Sequence, residues 1–394
     1  MPKKSKALVK RTVLFFALLW WPAASLMSAE PIDELQIRIA ILQGVDEVEI
    51  SIRGPYEIED TVKDTTLKTG RNLRKTRVML GKQGLNLGPE GLALSRLRFV
   101  PNKDVTLRVR GQDRRYRGLI DIIRTKDNHL LVVNSIDLEN YIRGVLYHEV
   151  SPRWPMDAII AQTVAARSYA IYQIRAHRRH EYDVTSDIYS QVYGGRTSEK
   201  FRTNLAVNRS RGEVLIYKGE VLPAYFHATC GGHTEDVSEL WKHHLPPLRG
   251  VICEFCQFSP HYFWKRDFQS SAVQKKLNEK GHKIGLIKEI QISKRTSSGR
   301  VKELIVIGRD GEKIKISGKD FREIAGPNNL RSNKFDIQMK GYFFDVIGKG
   351  WGHGVGLCQW GAYGMALQHY NYKEILQYYY PGTEVVDYES FLGQ

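Results

Sequence analysis

The fold is decided by residues Glu139–Arg179, which read ENYIRGVLYHEVSPRWPMDAIIAQTVAARSYAIYQIRAHRR. A single acid, Glu149, lies between an apolar run and a Ser-Pro-x-Trp-Pro turn, and a long alanine-rich segment follows. Pro155 suits the first position of a helix, and Asp157 would lie in the first turn, where the helix dipole favours an anion. Small and apolar residues recur at helical spacing after it: Ala158, Ile159, Ala161, Thr163, Ala165, Ala166 and Ala170. They predict a buried central helix, because small side chains let other elements approach its backbone closely.

Arg167 is unusual within such a helix. A guanidinium that is removed from water must be paired with an acid or must face a cleft. The segment alone leaves two interpretations open: a structural salt bridge, or a functional group at a site.

The first 29 residues have the composition of an export signal. Lysines and arginines precede the apolar run Val13–Trp21, and small residues follow up to Ala29. The apolar run is short for a membrane span, and Pro22 interrupts it. We therefore expect a cleaved signal peptide rather than a membrane anchor, and a mature protein in the periplasm or cell envelope.

Charge narrows the class of partner. The chain has 394 residues and a formal net charge of +16, with Lys and Arg spread along its length. A basic exported protein suits an anionic partner such as cell-wall polymer or lipid headgroups, near the membrane surface. The sequence contains no recognisable nucleic-acid-binding motif, and export argues against nucleic acid as a partner.

The predicted fold class is α+β, with mixed, largely antiparallel sheets around the alanine-rich helix. Residues Glu47–Ile52 alternate polar with apolar, as is typical of a half-buried strand, so Val48, Ile50 and Ile52 would face inward. The length allows a large core and more than one lobe. The predicted parts are a signal peptide (1–29), a β-rich part (30–135), a core that carries Glu149 (136–261), an inserted small α/β lobe (262–345) and a C-terminal part that completes the core (346–394).

The chain has four cysteines: Cys230, Cys253, Cys256 and Cys358. The spacing of Cys253 and Cys256 suits a metal, and Cys230 with one imidazole, His233 or His227, would complete a tetrahedral zinc set. An oxidising compartment also allows a disulfide from Cys230 to Cys253 or Cys256. Cys358 lies far along the chain, so the predicted metal set is Cys230, Cys253, Cys256 and His233. Such a zinc would be structural.

Glycine occupies every second position from Gly348 to Gly356. In an extended strand this pattern would leave one face bare and place Trp351 and His353 on the other. Glycine weakens a strand, so the repeat predicts close approach by a ligand or by another backbone. His353, at its centre, is a functional candidate, and we expect the segment to line the same cleft as Glu149.

Together these segments resemble the SpoIID/LytB family, known from stage II sporulation protein D and the amidase enhancer. The likeness runs from about Ile37 to Thr383. The residues that carry it are Tyr141–Val145, His148–Val150, Trp154–Pro155, Ala161–Ala170, Gln191–Tyr193, Phe226–His227, Gly231–Thr234 and Gly350–Gly361.

The resemblance implies an exported protein that remodels peptidoglycan. In the sporulation branch it implies a lytic transglycosylase that cuts glycan strands already stripped of stem peptides. Glu149 falls on what looks like the catalytic glutamate of the family, which makes residues 136–261 the catalytic core. The predicted substrate-binding residues are Arg167, Gln191, Tyr193, His353 and Gln359.

The chemistry suits a single acid. Ordinary glycosidases use two carboxyl groups, whereas in a lytic transglycosylase the primary hydroxyl of the muramic acid attacks intramolecularly. One glutamate then serves as acid and as base, and catalysis requires no cofactor. The pKa of Glu149 should be raised by burial against Trp154, Tyr147 and the apolar run before it.

Two points limit the resemblance. Some family members bind zinc through His and Cys just before Gln-Val-Tyr, but Tyr189 and Ser190 stand there in this chain, so that site is expected to be absent. The family also contains non-catalytic members. The alternative function is therefore a wall-binding enhancer of an N-acetylmuramoyl-L-alanine amidase, which would make that amidase a partner.

Overall fold

A computed structural model describes residues 35–241 and 243–392. The predicted signal peptide, residues 1–29, lies outside the described residues. Across the two described ranges, no helix has the length and apolar character needed to cross a membrane.

The β-rich part of the chain forms one sheet of eleven strands. Its strands are β1 (Gln36–Val45), β2 (Glu47–Asp60), β3 (Thr65–Leu80), β4 (Leu85–Leu87), β5 (Glu90–Leu92), β6 (Arg96–Pro101), β7 (Asp104–Val109), β8 (Gln112–Tyr116), β9 (Leu119–Arg124), β10 (Leu130–Asp137) and β11 (Val184–Thr185). The order is β11-β1-β10-β9-β6-β2-β3-β4-β5, with β7 joining β2 to β8, and only the short β1–β11 pair is parallel. Val48, Ile50 and Ile52 are buried, which confirms the predicted inward face of β2.

The alanine-rich helix follows directly on a shorter helix. The described residues form eight helices: α1 (Leu138–Glu149), α2 (Met156–Ala176), α3 (Phe201–Arg209), α4 (Ser270–Glu279), α5 (Gly318–Ala325), α6 (Gln359–Leu367), α7 (Tyr372–Tyr379) and α8 (Tyr388–Leu392). Asp137 caps α1 by accepting a hydrogen bond from the Asn140 N–H. Pro155 is the N-cap of α2 rather than its first residue, and Asp157 lies in the first turn as predicted. The α+β class is confirmed.

The remaining strands form small sheets. They are β12 (Glu213–Tyr217), β13 (Glu220–Val221), β14 (Phe226–His227), β15 (Phe263–Gln269), β16 (Ile287–Arg295), β17 (Val301–Gly308), β18 (Lys313–Ser317), β19 (Phe335–Lys340), β20 (Phe343–Lys349), β21 (Leu357–Cys358) and β22 (Glu384–Asp387). β14 and β21 pair in parallel, with His227 opposite Cys358. This pairing brings the C-terminal part of the chain against the segment that leads to Cys230.

Three large apolar cores support these elements. The first lies between the eleven-stranded sheet and the helices α1 and α2. The second surrounds the start of α2 together with α6 and α7, and includes all four cysteines. The third lies within residues 264–346, between the sheets β15-β20-β19 and β16-β17-β18 and the helices α4 and α5. Residues 264–346 thus contain a separate apolar cluster.

The glycine-rich segment is not an extended strand, so that prediction is wrong. β20 ends at Lys349, and Gly354 and Gly356 have φ angles of 92° and 70°, which L side chains rarely adopt. Close packing is nevertheless present. A β-carbon at Gly356 would collide with the Tyr225 carbonyl oxygen, and one at Gly354 would collide with the guanidinium of Arg300. Glycine at these positions therefore allows positive φ angles and close packing against the Tyr225 backbone and the buried Arg300.

Candidate active site at Glu149

Glu149 is the last residue of α1, and its position follows from the buried stripe of that helix. Ile142, Val145 and Leu146 are buried, and Glu149 continues the same i, i+3, i+4 spacing. The helix ends at Val150, whose extended conformation leads into the turn before α2. The acid is thus carried to the edge of the apolar core, where part of the residue stays exposed.

The carboxyl group of Glu149 has neutral hydrogen-bond partners. Gln359, the first residue of α6, donates from Nε2 to Oε2 of Glu149 at 3.1 Å. Burial raises the pKa of Glu149 to about 7, and hydrogen bonds from Gln359 and from the Val192 backbone oppose that rise. The predicted direction of the pKa shift is confirmed, and the group is poised to exchange a proton near neutral pH.

Three aromatic residues close to Glu149 or Gln359 in the sequence pack their rings together. Trp154 lies five residues after Glu149, and its ring centroid is 5.2 Å from that of Trp360 and 5.1 Å from that of Tyr363. All three side chains are partly exposed. Tyr147, which was predicted to cover Glu149, is 42% exposed and has the Lys200 ammonium over its ring instead.

Arg167 forms a buried ion pair with Glu139, an acid that the sequence analysis did not single out. Nε and Nη2 of Arg167 donate to the two carboxylate oxygens of Glu139 at 2.6 and 2.9 Å. Nη1 donates to the Glu213 carbonyl at 2.9 Å, and Arg167 is fully buried. The structural salt bridge therefore fits the geometry, and a direct substrate contact by Arg167 does not. The sequence indicated that Arg167 needs an acid or a cleft, but it did not identify Glu139, which lies on a different helix.

Gln191 and Tyr193, also predicted to bind substrate, are buried and internally satisfied. The Tyr141 hydroxyl donates to Oε1 of Gln191 at 2.9 Å, and Nε2 of Gln191 donates to the Ala166 carbonyl at 3.3 Å. The Tyr193 hydroxyl donates to Oδ1 of Asn134 at 2.9 Å. Gln191 thus bridges α1 and α2, and Tyr193 contacts β10 of the sheet, so both residues are occupied by contacts within the protein.

The imidazole of His353 is held by the protein's own backbone. Its Nδ1 accepts a hydrogen bond from the Val355 N–H at 3.1 Å, and its Nε2 donates to the Phe226 carbonyl at 2.9 Å. Burial, helped by the charge of Arg322, lowers the pKa of His353 to about 4. Both ring nitrogens are occupied by backbone groups, so the imidazole is neutral and structural in this arrangement, contrary to the predicted substrate-binding role.

The four cysteines come together in one buried cluster, and their sulfur atoms all lie within 4.8 Å of one another. Cys358 thus lies beside Cys230, Cys253 and Cys256. His233 does not belong to the cluster, and its Nδ1 contacts the Thr234 carbonyl oxygen at 2.5 Å instead. The choice of His233 as fourth member is corrected to Cys358. The sequence did not reveal this proximity because it depends on the pairing of β14 with β21.

In a comparison with known proteins, two family models match parts of the chain. The model described as stage II sporulation protein (SpoIID) matches residues 126–217, which include Glu149 and Arg167. A family described as a domain of unknown function (DUF8618) matches residues 253–356.

Individual relatives extend over more of the chain. An uncharacterized protein of Brachyspira hyodysenteriae is 34% identical over 342 residues, 86% of this chain and 89% of that protein. Stage II sporulation protein D of Bacillus amyloliquefaciens is 30% identical over 290 residues, 70% of this chain and 80% of that protein. The amidase enhancer of Bacillus subtilis is 26% identical over 291 residues, 63% of this chain and 40% of that protein.

Proposed function

Because this chain belongs to the stage II sporulation protein D family, which has a cell-wall-related function, we propose that it is a peptidoglycan lytic transglycosylase of the cell envelope. In this proposal Glu149 acts first as general acid and then as general base. The observation that carries the proposal is the position of Glu149 at the end of α1, beside the neutral amide of Gln359, where burial raises its pKa to about 7. A carboxyl group with that pKa is partly protonated at neutral pH, as a general acid must be.

The reaction needs only this one carboxyl group. Glu149 gives its proton to the oxygen that joins N-acetylmuramic acid to N-acetylglucosamine, and the bond from that oxygen to C1 of the muramic acid breaks. The primary hydroxyl on C6 of the same sugar then attacks C1 and returns its proton to Glu149. The products are a free hydroxyl on the leaving sugar and a 1,6-anhydro-muramic end, with no water consumed.

Gln359 has a defined part in this scheme. It donates to Oε2 of Glu149, which favours the proton of the neutral carboxyl group on Oε1. In this proposal Oε1 gives that proton to the glycosidic oxygen. Glu139, the buried acid at the other end of α1, is held by Arg167 and is not free to act as a second carboxylate. This arrangement favours one-acid chemistry over the two-acid chemistry of ordinary glycosidases.

Two further features suit a glycan strand as substrate. The partly exposed rings of Trp154, Trp360 and Tyr363 offer amphipathic surfaces on which a sugar ring can pack. Muramic acid without its stem peptide carries a free lactyl carboxylate, and the net charge of +16 favours such an anionic polymer. We therefore propose peptide-stripped strands as the preferred substrate.

The alternative is a non-catalytic enhancer of a cell-wall amidase, which the likeness to the amidase enhancer supports. The two functions are separated by incubating the mature protein with glycan strands that an amidase has stripped of peptides. Mass spectrometry should find anhydro-muramic ends with the wild type and not with Glu149→Gln. Absence of these ends with both proteins, together with faster peptide release when an amidase is added, would establish the enhancer instead.

A further inference from the structure

The cysteine cluster has the geometry of a metal centre. Cys230, Cys253, Cys256 and Cys358 are buried, and their sulfur atoms converge within 4.8 Å of one another. The sulfur atoms of Cys230 and Cys256 are 3.5 Å apart. Four thiolates on a tetrahedral zinc, each about 2.3 Å from the ion, lie about 3.8 Å from one another. A disulfide would instead bring two of them to about 2.0 Å.

Backbone contacts hold the four sulfur atoms in this arrangement. Parallel pairing of β14 with β21 places Cys358 beside the segment that leads to Cys230, and the Cys230 N–H points at the Cys358 sulfur over 3.2 Å. The Cys253 N–H donates to the Gly232 carbonyl at 3.0 Å, which ties the C-x-x-C loop to the turn after Cys230. An N–H directed at sulfur stabilises a thiolate, the form that binds metal.

A buried cation beside the cluster is a second, independent indication. Arg300 is buried and donates to the carbonyl oxygens of Cys230 and His233 at 2.8 and 2.9 Å and to Oγ of Ser298 at 2.9 Å, all neutral acceptors. Among the described residues its Nε has no hydrogen-bond partner. A buried guanidinium is unfavourable unless anionic groups lie nearby. Glu235 attracts Arg300 electrostatically, and four thiolates on one Zn²⁺ would add a net charge of −2.

We propose that Cys230, Cys253, Cys256 and Cys358 bind one zinc ion as four thiolates, with Arg300 as the neighbouring cation that balances part of its charge. The centre is structural, because four protein ligands close the coordination shell. It joins three separate stretches of the second core. It also stands one residue from Gln359, so the ion anchors the start of α6 without entering the reaction.

Metal and thiol measurements test this directly and do not depend on enzymatic activity. Protein purified without chelator or His-tag should contain about one zinc per chain, and a mercurial reagent should release that zinc as four thiols are titrated. Cobalt substitution should give the absorption of tetrahedral cobalt thiolate. These measurements use the wild type, so they remain informative if a cysteine variant fails to fold.

Two variants identify the fourth ligand. Cys358→Ser should lose zinc affinity and weaken the cobalt–thiolate absorption, whereas His233→Ala, the matched control, should keep both. Loss of zinc in His233→Ala with full retention in Cys358→Ser would overturn the four-cysteine assignment. Wild-type protein without zinc, with a mass under non-reducing conditions that shows the thiol hydrogens lost to disulfides, would overturn the metal centre altogether.

Discussion

Oε2 of Glu149 accepts a hydrogen bond from Nε2 of Gln359 at 3.1 Å, although 210 positions of sequence separate the two residues. The donor is a neutral amide, so it orients the carboxyl group and favours the ionised form less than a cation would. An arginine in its place would lower the pKa of Glu149 by roughly 1 to 3 units. With the amide, burial decides the pKa, and the value stays at about 7.

Replacement of Glu149 by glutamine should abolish glycan cleavage. The amide keeps the shape of the side chain but has no acidic proton, and loss of a general acid costs roughly 10²- to 10⁴-fold in rate. Release of anhydro-muramic ends from stripped strands measures the effect, and thermal unfolding followed by circular dichroism is the control for the fold. Wild-type rates in the variant would remove Glu149 from the mechanism.

The pH dependence of activity should report the same carboxyl group. Glu149 must be protonated in the free enzyme, so kcat/KM should fall as the pH rises through about 7. A kcat/KM that already falls as the pH rises through 4 to 5 would contradict the assignment, since that is the range of an unperturbed glutamate, about 4.3.

Stability should change over the same window. The native state binds the proton of Glu149 more tightly than the unfolded state, whose pKa is about 4.5. The resulting stabilisation is complete below pH 4.5 and is lost as the pH rises to about 7, by roughly 3 kcal/mol at most. Urea unfolding of the wild type and of Glu149→Gln across this range measures it. The difference between the two proteins should decrease with pH and then level off, and a constant difference would count against the shifted pKa.

Removal of the Gln359 amide should move the pH profile upward. Its hydrogen bond lowers the pKa of Glu149, and a hydrogen bond of about 0.5 to 1.5 kcal/mol corresponds to a shift of roughly 0.5 to 1 unit. Gln359→Ala should therefore keep cleaving at a higher pH than the wild type. Gln368→Ala, at the exposed C-terminal end of α6, is the matched control and should not shift the profile. Identical profiles for both variants would leave Gln359 without this role.

The Arg167–Glu139 pair should matter for stability. Arg167→Met leaves the Glu139 carboxylate buried without its partner, which costs roughly 3 to 5 kcal/mol of unfolding free energy. The double variant Arg167→Met/Glu139→Gln should recover part of this loss, and a double-mutant cycle in urea gives the coupling. Unchanged stability together with a raised KM in the single variant would instead support the substrate-binding role.

The sequence predicted what depends on local pattern. Alternation placed Val48, Ile50 and Ile52 on the inner face of a strand, and Pro155 and Asp157 indicated where the alanine-rich helix begins. The contacts of the site residues depend on how distant segments of the chain pack together, and no local sequence pattern contains that information. The ion pair of Glu139 with Arg167 and the position of Cys358 beside the other three cysteines are of this kind. The glycine repeat misled for another reason. Gly350, Gly352, Gly354 and Gly356 have positive φ angles, which the spacing alone does not distinguish from a strand, whereas Gly348 does lie in a strand, β20.

The two ends of the inserted lobe lie side by side. β15 and β20 pair along their length, from Phe263 opposite Lys349 to Gln269 opposite Phe343. A segment closed by its own strand pair can lengthen or shorten at little entropic cost, because loop-closure entropy grows only slowly with length. Insertions between residues 270 and 342 would therefore leave Glu149 and Gln359 in place. Two places are bound more tightly to the rest of the molecule. Thr296 and Arg300, in the turn between β16 and β17, reach Glu235 and Cys230, and the Arg331 carbonyl, before β19, accepts from the Gly352 N–H. Away from these contacts, the segment can change in length without moving the site.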